Sequence, residues 1–148
     1  MIDMDALGRE YDPFYFEIER CKIKELCLAI GDKNPIFYNK EEAKKAGYKD
    51  VPAPLTFPTV INFWGYPEIW DRMKEIGVNV KRLLHASEEY EYFSPIYPGD
   101  IIQGSVMIDA LRTSATMDIA TFKSTYKRQD EVVCIARMKI VVMNEEEK

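Results

Sequence analysis

The segment from Ala29 to Asn39 concentrates residue types that can do acid–base chemistry. Its sequence, AIGDKNPIFYN, joins a glycine turn to a carboxylate at Asp32, a side-chain amide at Asn34, a proline and two aromatic rings. A catalytic carboxylate acts as a general acid or base, and it commonly needs a second titratable group beside it. Aspartate and asparagine are also ordinary turn formers, because their side chains accept hydrogen bonds from nearby backbone amides. Asp32 and Asn34 are therefore candidate catalytic residues with a structural alternative.

The chain has one histidine, His85, which is a candidate for that second group. It lies where apolar and polar residues alternate, so Leu84 and Tyr90 would share one face of a strand and His85 would share the other face with Ser87. This alternation places His85 on the wetter face, unless a β-bulge re-aims it. We interpret it as a structural or surface histidine.

Composition excludes several classes of function. The chain has 148 residues, of which 47% are hydrophobic, which is enough for one domain with its own core. A net charge of −5 with acidic residues spread along the chain argues against nucleic acid as the main ligand. Three cysteines without a CxxC pair, together with a single histidine, indicate neither a disulfide framework nor a metal centre. No metal and no cofactor are predicted.

The sequence also bears on localisation. No run approaches the roughly 18 apolar residues of a membrane span, and the first residues lack the pattern of a signal peptide. We expect a cytoplasmic protein without a membrane partner.

The first half of the chain predicts helices. The segment ERCKIKELCLAIG places Ile23, Leu26, Cys27 and Ile30 on one helical face and ends at Gly31. A short strand, FYFEIE, precedes it, and a second helix is predicted over residues 40–46. Residues 55–64 are apolar on nearly every side, which is typical of a buried helix, and residues 67–76 predict a further helix that overhangs the fold.

From residue 81 onward the hydrophobic period changes from helical to two. This pattern predicts an antiparallel meander of about four long strands with one drier and one wetter face. A buried helix beside such a sheet indicates an α+β fold in which the sheet wraps the helix. We expect a single domain over residues 1–148, with a disordered tail at 144–148.

Three separated segments together resemble a known family. They are the run Gly31-Asp32-x-Asn34-Pro35-Ile36, the stretch AGYKDVPAPLTFPTV, and the stretch YEYFSPIYPGD. In this order they resemble the N-terminal, fatty-acid-synthase-type dehydratase branch of the MaoC-like hydratases, over roughly residues 9–143. The resemblance implies a hot-dog fold, in which a long antiparallel sheet wraps a central helix, and a dimer or double hot dog.

The resemblance also implies roles for particular residues. In that family a histidine follows the Gly-Asp-x-Asn-Pro motif and holds, with the aspartate, the water that adds to an enoyl thioester. Phe37 occupies the histidine position here. Asp32 and Asn34 are the remaining catalytic candidates. The substrate-binding candidates are Phe37, Tyr38, Pro54, Leu55 and Thr56, and the amides of Leu55 and Thr56 are expected at a helix start, where they could bind a thioester oxygen.

The leading hypothesis is a subunit of an (R)-specific enoyl-thioester hydratase or 3-hydroxyacyl-thioester dehydratase, acting on coenzyme A or acyl-carrier-protein thioesters. Because the motif histidine is replaced, this chain would be the substrate-shaping half. It would form a homodimer or a hetero-oligomer with a catalytic MaoC-like subunit. Two alternatives are a non-catalytic acyl-CoA binding or scaffold module and a hot-dog acyl-CoA thioesterase. Scattered basic residues, Arg128 among them, could meet coenzyme A phosphates or simply provide solubility.

Overall fold

The structure, a computed structural model, describes residues 1–144. Its strands are β1 (Phe14–Glu17), β2 (Leu83–Tyr92), β3 (Ile101–Thr113), β4 (Met117–Arg128) and β5 (Glu131–Met143). Its helices are α1 (Arg20–Ile30), α2 (Lys40–Lys45), α3 (Pro58–Trp64) and α4 (Ile69–Glu75). Short 3₁₀ turns lie at Met4–Ala6, Pro35–Phe37 and Val80–Arg82.

All five strands form one antiparallel sheet in the order β1-β3-β4-β5-β2. The four long strands predicted after residue 81 are confirmed, and the short strand before α1 is β1. β1, with four residues, and β2, with ten, are the two edges. A long unpaired edge is a template for pairing with another chain, whereas a four-residue edge offers little. β2 is therefore the edge with the capacity to take a partner strand.

The helix ends follow from local chemistry. Gly31 has φ 73° and ends α1, since its amide can bond the carbonyls of Cys27 and Leu28 in this left-handed conformation. Asn39 caps α2 by accepting hydrogen bonds from the amides of Glu41 and Glu42. Both ends agree with the sequence-based expectation.

Two apolar clusters fill the inner face of the sheet. One packs α4 and the N-terminal residues Ile2 and Ala6 against one end of β3, β4 and β5. The other packs α1 and α3 against the opposite end, with Phe57 and Ile61 fully buried. Cys27 is also fully buried in the second cluster, so its predicted role as a core residue is confirmed.

The predicted buried helix is shorter and more exposed than expected. α3 begins at Pro58, so residues 55–57 form a turn in front of it. Leu55 is 70% exposed and Trp64 is 72% exposed, so the expectation of a helix buried from 55 to 64 is wrong at both ends. A helix on the surface of a sheet can bury only the side chains that point at the sheet. Ile30, predicted on the buried face of α1, is likewise 54% exposed.

Asp118 ties the N-terminal segment to the sheet. Its side chain is 1% exposed and accepts a 2.8 Å hydrogen bond from the amide of Ile2 and a 3.3 Å hydrogen bond from the side-chain amide of Asn144. Asn144, the first residue of the predicted tail, also bonds the carbonyl oxygens of Ser114 and Thr116. Residues 145–148 of that tail lie outside the described residues.

Gly104 allows β1 to close over β3. Phe14 pairs directly with Gly104, and its ring stacks on Tyr66 with centroids 4.8 Å apart. A Cβ atom at position 104 would lie 2.2 Å from Cζ of Phe14, so the glycine leaves room for the ring. An aromatic ring that covers a strand glycine in this way stabilises a strand pair.

We therefore expect Gly104→Ala to lower the free energy of unfolding by about 1–3 kcal/mol through overpacking. Urea denaturation followed by circular dichroism measures this change. Ser105→Ala, on the outer face at the next position, is the matched control and should change stability by no more than about 0.5 kcal/mol. Equal stability of the two variants would contradict this account of the contact.

Candidate functional site

The motif turn begins where α1 ends. The amide of Asp32 bonds the Cys27 carbonyl at 2.9 Å, and the Asp32 side chain then accepts the amide of Asn34 on Oδ1 at 2.9 Å. Asn34 accepts the amide of Ile36 at 3.2 Å, and the Tyr38 hydroxyl bonds the Asp32 carbonyl oxygen. Each polar side chain therefore holds the turn with one oxygen. The second carboxylate oxygen of Asp32, Oδ2, accepts no hydrogen bond from any of residues 1–144.

Phe37 and Tyr38 follow on the 3₁₀ turn and are half-buried. Both rings pack against the cluster of α1 and α3. The ring at the motif's histidine position thus contributes to apolar packing beside the Asp32 turn, where the family would place an imidazole. Asp32 itself is half-buried, whereas Asn34 is exposed.

An apolar cavity of about 440 Å³ lies next to this turn. Its size falls in the range of small-molecule sites. The wall is mainly apolar and aromatic and is formed by Ile36, Phe37, Tyr48, Pro52, Ala53, Leu55, Tyr92, Phe93, Ser94, Pro95 and Ile96. Of the predicted site residues, the structure brings Phe37 and Leu55 together in this wall. The predicted residues that do not line it are Asp32, Asn34, Tyr38, Pro54 and Thr56.

Several wall residues were not singled out from the sequence, namely Tyr48, Tyr92 and the loop residues 93–96. The signal that could have found them is the YEYFSPIYPGD segment, which carried the family resemblance without assigning roles to its residues. Tyr92 fixes one side of the cavity, since its hydroxyl donates a 2.6 Å hydrogen bond to the Leu55 carbonyl oxygen. Burial raises the pKa of that hydroxyl, so it stays protonated and able to donate.

The turn in front of α3 presents backbone donors. Pro54 accepts the amide of Phe57 at 2.9 Å, and Phe57, not Thr56, is the residue that caps α3. The helix starts at Pro58, so Leu55 and Thr56 lie in the turn before its first residue. The amides of Leu55 and Thr56 donate to no acceptor within the described part of the chain, and both residues are exposed.

Arg128 holds the loop that forms one side of the cavity. Its guanidinium donates to the Pro95 carbonyl oxygen at 3.1 Å, to Ser94 Oγ at 3.0 Å and to Asp100 at 2.9 Å. It also pairs with Glu131 at 3.1 Å. A planar guanidinium that donates to several acceptors holds them in a fixed geometry. Arg128 is thus engaged within the fold, and its suggested contact with a coenzyme A phosphate is not supported by this arrangement.

Asp50 holds the other side of the site together. It accepts two hydrogen bonds from Arg20 at 2.9 and 2.8 Å and one from the Val51 amide at 2.7 Å, and it pairs with Lys40 at 3.3 Å. These contacts join the starts of α1 and α2 to the segment that lines the cavity. The hydrogen bond from Arg20 is the largest cause that holds the pKa of Asp50 well below its ordinary value of 3.8.

His85 lies elsewhere than alternation predicted. The pairing of β2 with β5 shifts between His85 and Ser87, which marks a β-bulge. His85 is opposite Ile140, a residue buried on the inner face of the sheet. Residues directly opposite each other in antiparallel strands point to the same face. The prediction that His85 lies on the outer face with Ser87 is therefore wrong, and the bulge is the reason.

Within residues 1–144, no group of three or more histidine, cysteine, aspartate or glutamate side chains is placed to hold a metal ion. No helix in this described region is long and apolar enough to cross a membrane.

Comparison with known proteins gives consistent matches for both sequence and fold. Residues 5–136 match the family described as FAS1-like, dehydratase domain region. A UPF0336 protein from Saccharopolyspora erythraea is 32% identical over 142 residues, which cover 95% of this chain and 90% of that protein.

Solved structures share the architecture. The C-terminally truncated HadBC (3R-hydroxyacyl-ACP dehydratase) complex from Mycobacterium tuberculosis matches with a TM-score of 0.82 and 22% identity, covering 95% of this chain and 99% of that chain. A MaoC-like dehydratase matches with a TM-score of 0.82 and 24% identity, covering 94% of this chain and 42% of that chain.

The fold is that of the hot-dog proteins, as predicted. The chain belongs to the FAS1-like dehydratase domain family. The predicted family is thereby confirmed, while the roles of the individual site residues remain predictions.

The Asp50 contacts give a testable dependence of stability on pH. A carboxyl whose pKa is lowered on folding stabilises the protein above its unfolded pKa, and this contribution is lost as the pH falls through the folded pKa. We expect Asp50→Asn to lower the free energy of unfolding by about 1–2 kcal/mol at pH 7, because Arg20 and Lys40 are half exposed and the pairs are partly screened. The difference from the wild type should shrink as the pH is lowered below about 4.

Urea denaturation at a series of pH values measures this difference. Asp71→Asn is the matched control, because Asp71 pairs with Lys74 at 2.9 Å on the exposed surface of α4 and should contribute little. A difference between wild type and Asp50→Asn that does not vary with pH would show that the charge of Asp50 is not what stabilises the site.

Proposed function

We propose that this chain is one subunit of an (R)-specific enoyl-thioester hydratase or 3-hydroxyacyl-thioester dehydratase, and that it shapes the acyl site for a catalytic partner. The observation that supports this proposal most is the position of Phe37. It occupies the motif's histidine position and forms the wall of an apolar cavity beside Asp32. A ring in that place can bind an acyl group but cannot transfer a proton.

The chemistry of the reaction explains why we assign catalysis to the partner and not to this chain. Addition of water to a 2-enoyl thioester needs a base for the water, an acid for the α-carbon and donors for the enolate oxygen. Asp32 has a carboxylate oxygen available, but the neighbouring imidazole is missing and Asn34 is committed to the turn. Loss of one acid–base group commonly lowers a rate by factors of about 10² to 10⁴. The isolated chain should therefore be a poor catalyst.

The turn in front of α3 is the proposed place of the thioester. The exposed amides of Leu55 and Thr56 are unpaired within the described residues, and a thioester or enolate oxygen can accept hydrogen bonds from them. Leu55 also lines the cavity, so an oxygen held at this turn lies at the cavity mouth. The acyl group would then enter the apolar cavity, and the coenzyme A or carrier-protein arm would remain outside.

The proposed partner is a second hot-dog subunit that carries the complete motif. β2 is an edge strand of ten residues, and its last residue, Tyr92, lines the cavity. Pairing of a partner at this edge would bring the partner's residues next to the cavity. The HadBC match is itself a complex, which is consistent with such an arrangement but is a property of that protein.

A second candidate function is a non-catalytic acyl-thioester binding module. The specific observation in its favour is that Asp32 and Asn34 both use their side chains to hold the turn. This alternative predicts saturable acyl-CoA binding without hydration in any pairing.

We expect the isolated chain to hydrate crotonyl-CoA at least about 100-fold more slowly than its complex with a partner that carries the Gly-Asp-x-Asn-Pro-x-His motif. The loss of absorbance of the enoyl thioester measures the reaction. Release of free thiol, measured in parallel, would identify a thioesterase instead. Full turnover by the isolated chain that Asp32→Asn abolishes would overturn the substrate-shaping assignment.

A second expectation concerns the cavity. Ala53→Phe should fill part of it and weaken the binding of a medium-chain acyl-CoA such as decanoyl-CoA by about 10-fold or more, because a bulky ring would occupy the space of the acyl tail. Isothermal titration calorimetry measures the affinity. Ala46→Phe, at an exposed position at the end of α2, is the matched control. Unchanged affinity in Ala53→Phe would show that the acyl group binds elsewhere.

A further inference from the structure

The inner face of β2 carries a row of polar side chains. Because of the bulge, His85 points to the same face as Glu88 and Tyr90, which lie opposite the buried residues Met138 and Ala136. The other acidic residues of this strand, Glu89 and Glu91, point to the outer face. The row therefore has one imidazole and one carboxyl on the side of the sheet that faces α3.

These side chains are in contact with one another. His85 Nε2 lies 2.7 Å from Glu88 Oε2, and the two side chains are 51% and 16% exposed. Tyr90 lies two residues from Glu88 on the same face, and the pKa of each group responds to the other. The Tyr90 hydroxyl in turn bonds Thr59 Oγ1 in the first turn of α3. Two hydrogen-bonded pairs, His85–Glu88 and Tyr90–Thr59, thus lie next to each other between a solvent-exposed imidazole and α3.

Thr59, at the end of this row of side chains, lies close to the proposed thioester position. The amide of Thr59 bonds the carbonyl oxygen of Thr56 at 3.1 Å. Thr59 is therefore within one turn of the exposed amides of Leu55 and Thr56. Tyr92, two residues from Tyr90 on the same face of β2, bonds the Leu55 carbonyl oxygen. The turn and the polar row are thus held together by two tyrosine hydroxyls.

The protonation states suit proton transfer. Burial raises the pKa of the Glu88 carboxyl, while the hydrogen bond from His85 opposes that shift. Burial also raises the pKa of Tyr90 to about 12, so its hydroxyl is protonated at neutral pH. A half-buried carboxyl with a raised pKa is a typical acid–base group, and a carboxylate beside an imidazole holds that ring in a fixed orientation.

We infer that Thr59, Tyr90, Glu88 and His85 form a proton relay that supplies the α-carbon of a 2-enoyl thioester with its proton. This inference rests on the proposed function and assigns to this chain the acid, while the partner's motif supplies the base. Tyr90 would be the residue that contacts the substrate. Thr59 positions the Tyr90 hydroxyl, and Glu88 and His85 connect that hydroxyl to solvent.

The proposed relay accounts for each proton that moves during hydration. The partner's base removes a proton from water as the water oxygen bonds to the β-carbon, and the double-bond electrons move toward the thioester oxygen. The α-carbon then takes the proton of the Tyr90 hydroxyl as the enolate reverts to the thioester. Tyr90 regains a proton from Glu88, and Glu88 regains one from His85 and solvent. The proton held by the partner's base returns to solvent, so the net change is the addition of one water.

Variants of the chain in complex with a partner that carries the complete motif provide the test. With crotonyl-CoA as the probe, we expect Tyr90→Phe and Glu88→Gln to lower kcat by about 100-fold with little change in KM. His85→Ala should lower kcat by about 10-fold, and added imidazole should restore it, because the half-exposed position leaves room for the free base. Glu41→Gln, on the exposed surface of α2, is the control and should remain within 2-fold of wild type.

Imidazole rescue separates proton transfer from a purely structural role, and thermal melts show which variants remain folded. If Tyr90→Phe fails to fold, Glu88→Gln and His85→Ala carry the test. An active complex whose kcat is unchanged in Glu88→Gln and His85→Ala would overturn the relay and leave the proposed function standing. A wild-type complex without hydration activity would overturn the proposed function, and the relay with it.

Discussion

The inner face of the sheet exposes more apolar surface than α3 can cover. A helix of seven residues buries only a few side chains, here Phe57 in front of it and Pro58, Ile61 and Asn62 within it. Each large aliphatic or aromatic side chain left in water would forgo about 1.5–3 kcal/mol. α1 therefore closes one end of the sheet, and α4 closes the other together with the N-terminal residues Ile2 and Ala6. The core therefore consists of two apolar clusters, one at each end of the sheet.

The same shortness of α3 creates the site. Since the helix starts at Pro58, the chain before it must arrive as a turn, and that turn leaves Leu55 exposed and its amide unpaired among the described residues. A helix would use these amides only if it began about four residues earlier, because the first four amides of a helix have no partner within it. The turn is held from two sides, by Tyr92 through the Leu55 carbonyl oxygen and by Asp50 through the amide of Val51. The amides of Leu55 and Thr56 are thus held in place by the contacts from Tyr92 and Asp50.

Much of the fold could be predicted from the sequence because its signals are local. The period of two after residue 81, the left-handed Gly31 and the Asn39 cap each depend on residues close in the chain. The buried positions of Ile2, Ala6 and Asp118 could not be predicted in this way, since they depend on contacts more than a hundred residues apart. The exposure of Leu55 and Trp64 was missed because an apolar run does not reveal how much of a helix the sheet can reach.

The candidate site was less predictable than the fold, and His85 shows why. Strict alternation assigns every residue of a strand to a face, and a single bulge reverses all assignments on one side of it. The bulge after His85 reverses its face relative to Tyr90 without any glycine or proline to mark it. Phe37, a substrate-binding candidate, lies in the cavity wall, but the cavity itself depends on Tyr92 and on the loop after it, which Arg128 of β4 holds in place.

The phenylalanine at position 37 connects the Asp32 turn to the apolar core. Phe37 packs against the apolar cluster that contains Ile23 and Phe57, so a histidine there would lose packing and bring a polar ring into an apolar wall. The Asp32 side chain holds the turn through Oδ1, and the cavity wall beside it is mainly apolar. The Phe37 ring therefore stands where the resembling motif has an imidazole, and it also forms part of the apolar wall.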